Sequence, residues 1–148
     1  MKFRDFHTYL SAAVQSFDVS VETSIRAELI ETVWKMEIER RPLGRMSGRF
    51  VVFPVKIYTP KIRHLNVLIL DQKTKTFERY EPHSHTTTIR HLDDAIEDLL
   101  YRLMASGSVY FLRYRTLYGD KNDKNCGFHC IEHVRSTIRS LGEKMKLN

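Results

Sequence analysis

The sequence predicts an α+β domain in which a central mixed sheet packs between helices. Three observations lead to this prediction: two short segments are apolar at nearly every position, a third alternates, and helical periodicities flank them. The 148 residues are 42% hydrophobic and 28% charged, which is typical of one globular domain with a single core. We therefore expect one domain over residues 1–148, with an N-terminal helical segment over about 1–40 and the main body over about 50–141.

The first periodic segment lies near the N-terminus. Between about residues 24 and 38 the apolar side chains recur at helical spacing: Ile25, Leu29, Val33 and Met36. The following segment, RRPLGRMSGR (40–49), contains Pro42, Gly44 and Gly48, which interrupt periodic structure. We therefore expect a core-facing helix, then a loop, with the sheet starting only beyond that loop.

Three strands are predicted in the middle of the chain. FVVFPVKIY (50–58) and LNVLILD (65–71) are rich in Val, Ile and Phe, as expected for central strands covered on both faces. QKTK (72–75) has the polar composition of a tight turn, and TFERYE (76–81) reads as a strand that sets Phe77, Arg79 and Glu81 on one face against Glu78 and Tyr80 on the other. The last two strands should therefore form a hairpin.

A helix is predicted after these strands. Apolar residues recur at helical spacing from Ile89 to Leu103. Thr86 to Thr88 supply hydroxyl groups for its N-cap, and Asp93 lies in its early turns, where a negative charge is favourable. We expect this helix to pack on the sheet.

The C-terminal part should place one cysteine at the start of a helix. SVYFLRYRTL (108–117) predicts a strand, and YGDKNDKN (118–125) predicts a polar loop. GFHCIEHVRSTIRSL (127–141) has helical periodicity. Cys126 therefore stands where a loop opens a helix.

Charge and hydropathy limit the partners. The formal net charge is +6 and the pI about 9.4, which favours nucleic acid or an acidic protein as a partner, although a solvated surface explains the charge equally well. The sequence contains neither a signal-peptide pattern nor the run of roughly 18 apolar residues that spans a bilayer. We expect no membrane partner and a protein that stays in the compartment where it is made.

The two cysteines are four positions apart, on consecutive turns of the predicted helix, where a disulfide would constrain little. In a reducing compartment such residues are catalytic, metal-binding or part of the core. Cys126, His129, Cys130 and His133 have pairwise zinc-ligand spacing, but four ligands on one short helix cannot all face one metal. We expect no metal, and a core position for Cys130.

Cys126 has the surroundings that a nucleophile needs. A helix N-terminus stabilises a thiolate. A nearby imidazole is also needed to take and return the proton, and a hydrogen-bond acceptor must hold that imidazole in place. His64 precedes one hairpin strand and Glu81 closes the other, so the two should meet although they are 17 positions apart. His83 and His85 follow the acid and are candidates to line the cleft, although exposed loop histidines are common.

At these residues the sequence resembles a known family. HLNVLILDQKTKTFERYEP (64–82), with its aromatic-Glu-Pro triplet, and NCGFHC (125–130) resemble the adenovirus proteinase. The strand before the histidine resembles the ubiquitin-like-protein-specific (SUMO) cysteine proteases of the same superfamily. The resemblance covers about residues 50–140. It implies a papain-like, Ulp-like fold and a catalytic triad of Cys126, His64 and Glu81.

The resemblance also implies partners and setting. The enzyme would need no cofactor and would cleave peptide or isopeptide bonds in a viral polyprotein or structural protein, with a ubiquitin-like conjugate as the alternative substrate. Its place would be inside the host cell, in cytoplasm or nucleus, or in the virion. Nucleic acid remains a candidate partner through the basic surface.

The sequence departs from the family pattern at two places. Leu65 stands where relatives have Trp after the histidine, and Asp120 and Gly119 stand where relatives have the Gln that donates to the oxyanion. Asp120 and Asn122 are therefore the oxyanion candidates, with the backbone N–H of Cys126 as a further donor. Two other hypotheses stay open: an inactive protease-like binding module, and a basic nucleic-acid-binding protein with structural Cys and His residues.

Overall fold

A computed structural model describes residues 1–40, 43–83 and 91–146 of the chain. Within these residues the chain forms three helices and seven strands. In chain order they are α1 (Phe3–Ala13), β1 (Val19–Val21), β2 (Ile25–Ile30), β3 (Val33–Ile38), β4 (Phe50–Tyr58), β5 (Arg63–Asp71), β6 (Thr76–His83), α2 (Leu92–Ala105), β7 (Arg113–Lys121) and α3 (Cys126–Lys146).

The strands form one mixed sheet in the order β3-β2-β4-β5-β6-β7, and β1 also pairs with β4. The pairs β2–β3, β4–β5 and β5–β6 are antiparallel, whereas β1–β4, β2–β4 and β6–β7 are parallel. The predicted α+β class with a central mixed sheet is confirmed. No helix among the described residues is long and apolar enough to cross a membrane.

The sheet is covered on both faces because its central strands are apolar on both. In β4, Val51 and Phe53 pack in the core under α2, while Phe50 and Val52 pack in the core under α1 and α3. Successive side chains of a strand point to opposite faces, so an all-apolar strand must be buried between two layers. The predictions for 50–58 and 65–71 are confirmed.

The hairpin of β5 and β6 is also confirmed, and it brings the start of β5 toward the end of β6. Leu70 pairs with Phe77, and the ladder continues to Val67 and Tyr80. The turn occupies residues 72–75, where Lys75 adopts a positive φ of 57°.

The helix predicted over 24–38 is wrong, because this segment is the antiparallel hairpin of β2 and β3. The N-terminal helical segment reduces to Phe3–Ala13, and the sheet begins before the 40–49 loop because β2 pairs with β4. In β2 the side chains of Ile25 and Ala27 are buried, while those of the residues between and after them are partly exposed, as expected for a strand. The turn at Glu31, with a φ of 58°, shifts the phase of the second strand, so two alternating strands imitate a helical spacing.

The last strand lies further along the chain than predicted. It covers Arg113–Lys121 in place of 108–117, so the loop predicted over 118–125 shrinks to its last four residues. Val109 and Phe111 caused the error, since they are buried in the core without belonging to a strand. The strand itself is an exposed edge whose hydrogen-bonding partner, β6, is distant in sequence.

Both flanking helices occur near their predicted positions. Helix α2 carries Asp93 in its first turn, as expected, while the proposed caps Thr86 to Thr88 lie outside the described residues. The helix predicted over 127–141 is confirmed, and Cys126 is its first residue.

We predict that Arg49→Met destabilises the fold far more than Lys35→Met. Arg49 forms a two-pronged pair with Asp71, at 3.0 and 2.9 Å, with side-chain exposures of 11% and 13%. Leaving that carboxylate unpaired should cost about 2 to 4 kcal/mol in the free energy of unfolding. Lys35 pairs with Glu37 at exposures of 61% and 48%, and its loss should cost less than about 0.5 kcal/mol. Urea unfolding measures both, and equal effects would contradict the prediction.

Candidate active site

Three elements bring the three predicted side chains together. His64 lies at the start of β5, Glu81 near the end of β6, and Cys126 at the start of α3, which packs against both strands. All three residues are buried. The juxtaposition expected from the hairpin and the helix start is therefore present, while the catalytic roles stay a prediction.

The imidazole of His64 is paired with the carboxylate of Glu81. The His64 Nε2 to Glu81 Oε2 distance is 2.5 Å, and the same carboxylate oxygen accepts the backbone N–H of His83 at 3.1 Å. Burial alone would raise the pKa of Glu81, but these hydrogen bonds and the charge of His64 outweigh burial and lower it. Glu81 is therefore an ionised acceptor that holds the ring through Nε2, which leaves Nδ1 for the thiol.

A buried polar network supports the carboxylate from behind. Asn66 Nδ2 donates to Glu81 Oε1 at 3.3 Å, and Arg79 donates through Nη1 to Asn66 Oδ1, which fixes the orientation of the amide. Arg79 also donates through Nε to Asp93 Oδ1 at 3.0 Å. Sequence reasoning did not connect any of these residues with the site. The signals were an Asn inside an otherwise apolar strand and an Arg at an inward position of an alternating one.

The thiol of Cys126 has three stabilising neighbours. The backbone N–H of Leu65 donates to Sγ at 3.4 Å, and the Gly127 N–H and the His64 side chain also hydrogen-bond to it. Burial by itself would raise the pKa of Cys126, but the hydrogen bond and positive charge of His64 and these amides lower it. The start of α3 therefore favours a thiolate.

The pKa of the His64 imidazole shifts in the opposite direction to that of the thiol. Burial would lower the pKa of His64, but its hydrogen bonds to Cys126 and Glu81, together with their negative charges, raise it to about 9. A lowered thiol pKa beside a raised imidazole pKa favours a thiolate–imidazolium pair over the neutral pair.

The residue after the thiol is closely packed. A Cβ on Gly127 would lie 3.0 Å from Leu65 Cδ1 and 2.8 Å from Met1 Sδ. A larger residue there would have to displace the ends of these two side chains, so Gly127 lets the first turn of α3 pack directly on Leu65.

The second cysteine is part of the core. Cys130 is fully buried, and its Sγ lies 3.5 Å from the carbonyl oxygen of Leu65. Burial raises its pKa well above the usual range, and the charge of Cys126 adds to the increase. A thiol held neutral in this way is a poor nucleophile, which agrees with the structural role expected for it.

The two oxyanion candidates lie at the surface. The Asp120 side chain on β7 is 95% exposed, with its Oδ1 at 4.0 Å from the Lys121 amine, and Asn122 is exposed just beyond the strand. The Asp120 carboxylate is thus solvated and not buried with the thiol. Their roles stay a prediction. The backbone N–H groups at the start of α3 are the donors nearest to the nucleophile by sequence.

The histidines of α3 have other contacts. His129 Nε2 lies 2.9 Å from Asp123 Oδ1, while His133 stacks on Tyr80 at 3.9 Å and lies 2.8 Å from Glu78 Oε1. These contacts point the two histidines away from a common position with Cys126 and Cys130, where the four could have bound one metal ion.

One group of three side chains within the described part of the chain has ligand atoms close enough for a metal. His64, Glu81 and His83 bring theirs within 4.8 Å of one another. Glu81 Oε2, however, already accepts from both His64 and the His83 backbone. His83, considered from sequence only as a cleft residue, thus adjoins His64 and Glu81, and His85 lies outside the described residues.

Comparisons with known proteins place the chain among viral proteins. No family model matches the sequence. A search of solved structures finds the C-terminal Ulp1 protease domain in complex with Smt3, the yeast ortholog of SUMO, at 17% identity, 60% coverage of this chain, 41% coverage of that domain and a TM-score of 0.43. Uncharacterized protein 082L of Invertebrate iridescent virus 3 is 32% identical over 163 aligned positions, covering 100% of this chain and 99% of the relative. The chain therefore belongs to the family of this iridescent-virus protein.

Proposed function

We propose that the chain is a cysteine protease of papain-like, Ulp-like fold with Cys126 as nucleophile, His64 as general base and acid, and Glu81 as the group that orients His64. The observation that carries the proposal is the buried His64–Glu81 pair, at 2.5 Å, beside a thiol at a helix N-terminus. The opposite pKa shifts of His64 and Cys126 agree with it.

Acylation uses the ion pair directly. The Cys126 thiolate attacks the carbonyl carbon of a peptide or isopeptide bond, forming a C–S bond and an oxyanion that backbone N–H groups at the start of α3 stabilise. When the C–N bond breaks, the His64 imidazolium gives its Nδ1 proton to the leaving amine. The products of this half-reaction are a thioester on Cys126 and a free amine, with His64 neutral.

Deacylation reverses the proton movement. Neutral His64 removes a proton from water, the hydroxide equivalent adds to the thioester carbonyl, and the C–S bond breaks to release a carboxylic acid and the Cys126 thiolate. Glu81 keeps its negative charge throughout and stabilises the imidazolium whenever it forms. No cofactor enters the proposed sequence.

The substrate we propose is a viral protein, because the relative that aligns with the whole chain is itself a viral protein. A ubiquitin-like conjugate is the second substrate class, since the same thiolate chemistry cleaves peptide and isopeptide bonds alike. The net charge of +6 makes nucleic acid a further candidate partner that binds outside the reaction centre.

We predict that Cys126→Ala abolishes hydrolysis and leaves the fold intact, whereas Cys130→Ala keeps most of the activity. Cys126 supplies the attacking sulfur, but Cys130 supplies only core contacts, and its truncation should cost about 1 kcal/mol of stability. Peptide hydrolysis and circular dichroism measure the two effects. Equal losses of activity in two folded variants would show that the assignment of roles to the cysteines is wrong.

We predict a bell-shaped dependence of kcat/KM on pH whose alkaline limb lies near the His64 pKa of about 9. Above that pH the imidazolium loses the proton that the leaving amine needs. Because the charge of Glu81 raises the His64 pKa, Glu81→Gln should move the alkaline limb to lower pH and reduce the maximum. Glu78→Gln on the same strand is the matched control, since Glu78 pairs with His133 and Arg115. If the alkaline limb of the Glu81→Gln profile stayed at the wild-type pH, the assignment of Glu81 to the triad would be wrong.

Activity probes separate the substrate classes. We expect iodoacetamide to label Cys126 and recombinant viral structural proteins to be cleaved, while ubiquitin and SUMO with C-terminal vinyl electrophiles form no adduct. An adduct with either modifier would reassign the substrate to conjugates. Labelling without cleavage or adduct would favour a protease-like binding module, which the solvated Asp120 at the family's Gln position also suggests.

A further inference from the structure

His83 contacts two of the three proposed catalytic residues and the segment that precedes the third. Its backbone N–H donates to Glu81 Oε2 at 3.1 Å, and its ring lies over the His64 ring with centroids 4.6 Å apart at an angle of 41°. Its Nε2 lies 2.9 Å from the carbonyl oxygen of Asp123, which is three positions before Cys126. The same residue therefore contacts the base, the acid and the segment that leads to the nucleophile.

The segment that His83 reaches is the nucleophile loop, which we define as residues 122–125 between β7 and α3. Asp123 organises it: Oδ1 accepts the Asn125 N–H at 2.9 Å and also lies 2.9 Å from His129 Nε2. These bonds tie Asp123 to the first turn of α3 but not to the sheet. Among the contacts of Asp123 with the described residues, the His83 ring is the one that joins the loop to β6.

The direction of this hydrogen bond follows from its chemistry. A backbone carbonyl oxygen only accepts, so Nε2 of His83 must carry the hydrogen. This holds whether His83 is neutral or protonated, and the contact is therefore retained in both charge states. A side chain with an N–H at the same distance from the backbone can replace it, whereas a ring without one cannot.

We propose that His83 is a positioning residue that holds the nucleophile loop against the triad, so that the backbone N–H groups at the start of α3 face the oxyanion of the acylation step. This inference rests on the proposed function, because it assigns His83 a task in that reaction. The task is orientation, not proton transfer, since Glu81 already occupies Nε2 of His64.

The proposal separates two reactions of the same thiol. Hydrolysis of an amide develops negative charge on a carbonyl oxygen, so it depends on the alignment of the N–H donors. Alkylation by iodoacetamide develops charge on the leaving iodide and makes no oxyanion. Loss of the His83 contact should therefore slow hydrolysis and leave alkylation nearly unchanged.

The experiment compares two replacements in the full chain. His83→Phe keeps a ring against His64 but loses the donor to Asp123, while His83→Gln keeps an N–H at the position of Nε2. We expect kcat for a fluorogenic peptide to fall by about 10- to 100-fold in His83→Phe, part of the roughly 10²–10³ that loss of a whole oxyanion donor costs, with KM little changed. His83→Gln should stay within about fivefold of wild type, and the alkylation rate of Cys126 within about threefold in both.

His7→Phe is the matched control, because His7 lies on α1 and contacts Ser11 outside the site. If the wild-type protein hydrolyses the peptide and the His83→Phe variant hydrolyses it equally fast, this inference is wrong and the proposed function still holds. Equal losses in the Phe and Gln variants, or a parallel fall in hydrolysis and alkylation, would also overturn this inference, because each would indicate packing on His64 and not a hold on the loop. A wild-type protein that is alkylated at Cys126 but hydrolyses nothing would overturn the proposed function and this inference together.

Discussion

The hydrogen bond between His64 and Glu81 joins two groups that burial would otherwise drive to their neutral forms. Removal from water raises the pKa of a carboxyl and lowers that of an imidazole, yet in this pair both shifts are reversed. Two further hydrogen bonds to the Glu81 carboxylate, from the Asn66 side chain and the His83 backbone N–H, contribute to the reversal. The thiol of Cys126 takes part in the same balance, because its hydrogen bond to His64 helps to raise the His64 pKa and lowers its own. The pKa of Cys126 therefore depends on the His64–Glu81 contact as well as on the thiol's own hydrogen bonds.

Sequence reasoning predicted the parts of the fold that depend on local pattern. Each of these parts carries its signal within one short window. The strands 50–58 and 65–71 are continuous apolar runs, the turn between β5 and β6 is a polar tetrapeptide, and the helix that begins at Cys126 has a period of 3.6. The same reasoning failed at 24–38, where a two-residue turn joins alternating strands and the pairing with β4 decides the structure. It also misplaced β7, an edge strand that pairs in parallel with residues far away in sequence.

The candidate site was predictable to a similar degree. His64 and Glu81 meet through a hairpin whose geometry can be inferred from two strands and a four-residue turn. The supporting residues could not be inferred in the same way. Arg79 is a charged side chain in an alternating strand, a position usually assigned to solvent, and only the packed sheet shows that it is buried against Asn66 and Asp93. The contact of His83 with Asp123 spans 40 positions and leaves no local pattern.

The separation of these contacts along the chain also bears on the order in which the protein folds. The His64–Glu81 contact closes a short segment, whereas the Leu65 amide and the Cys126 sulfur are 61 positions apart. Chain-closure entropy favours early formation of the local hairpin and late docking of α3. A partly folded chain therefore presents an ordinary thiol, because the groups that acidify it arrive with the last long-range contacts. The lowered pKa of Cys126 is thus a property of the completed sheet and helix, acquired only once α3 has docked on β5.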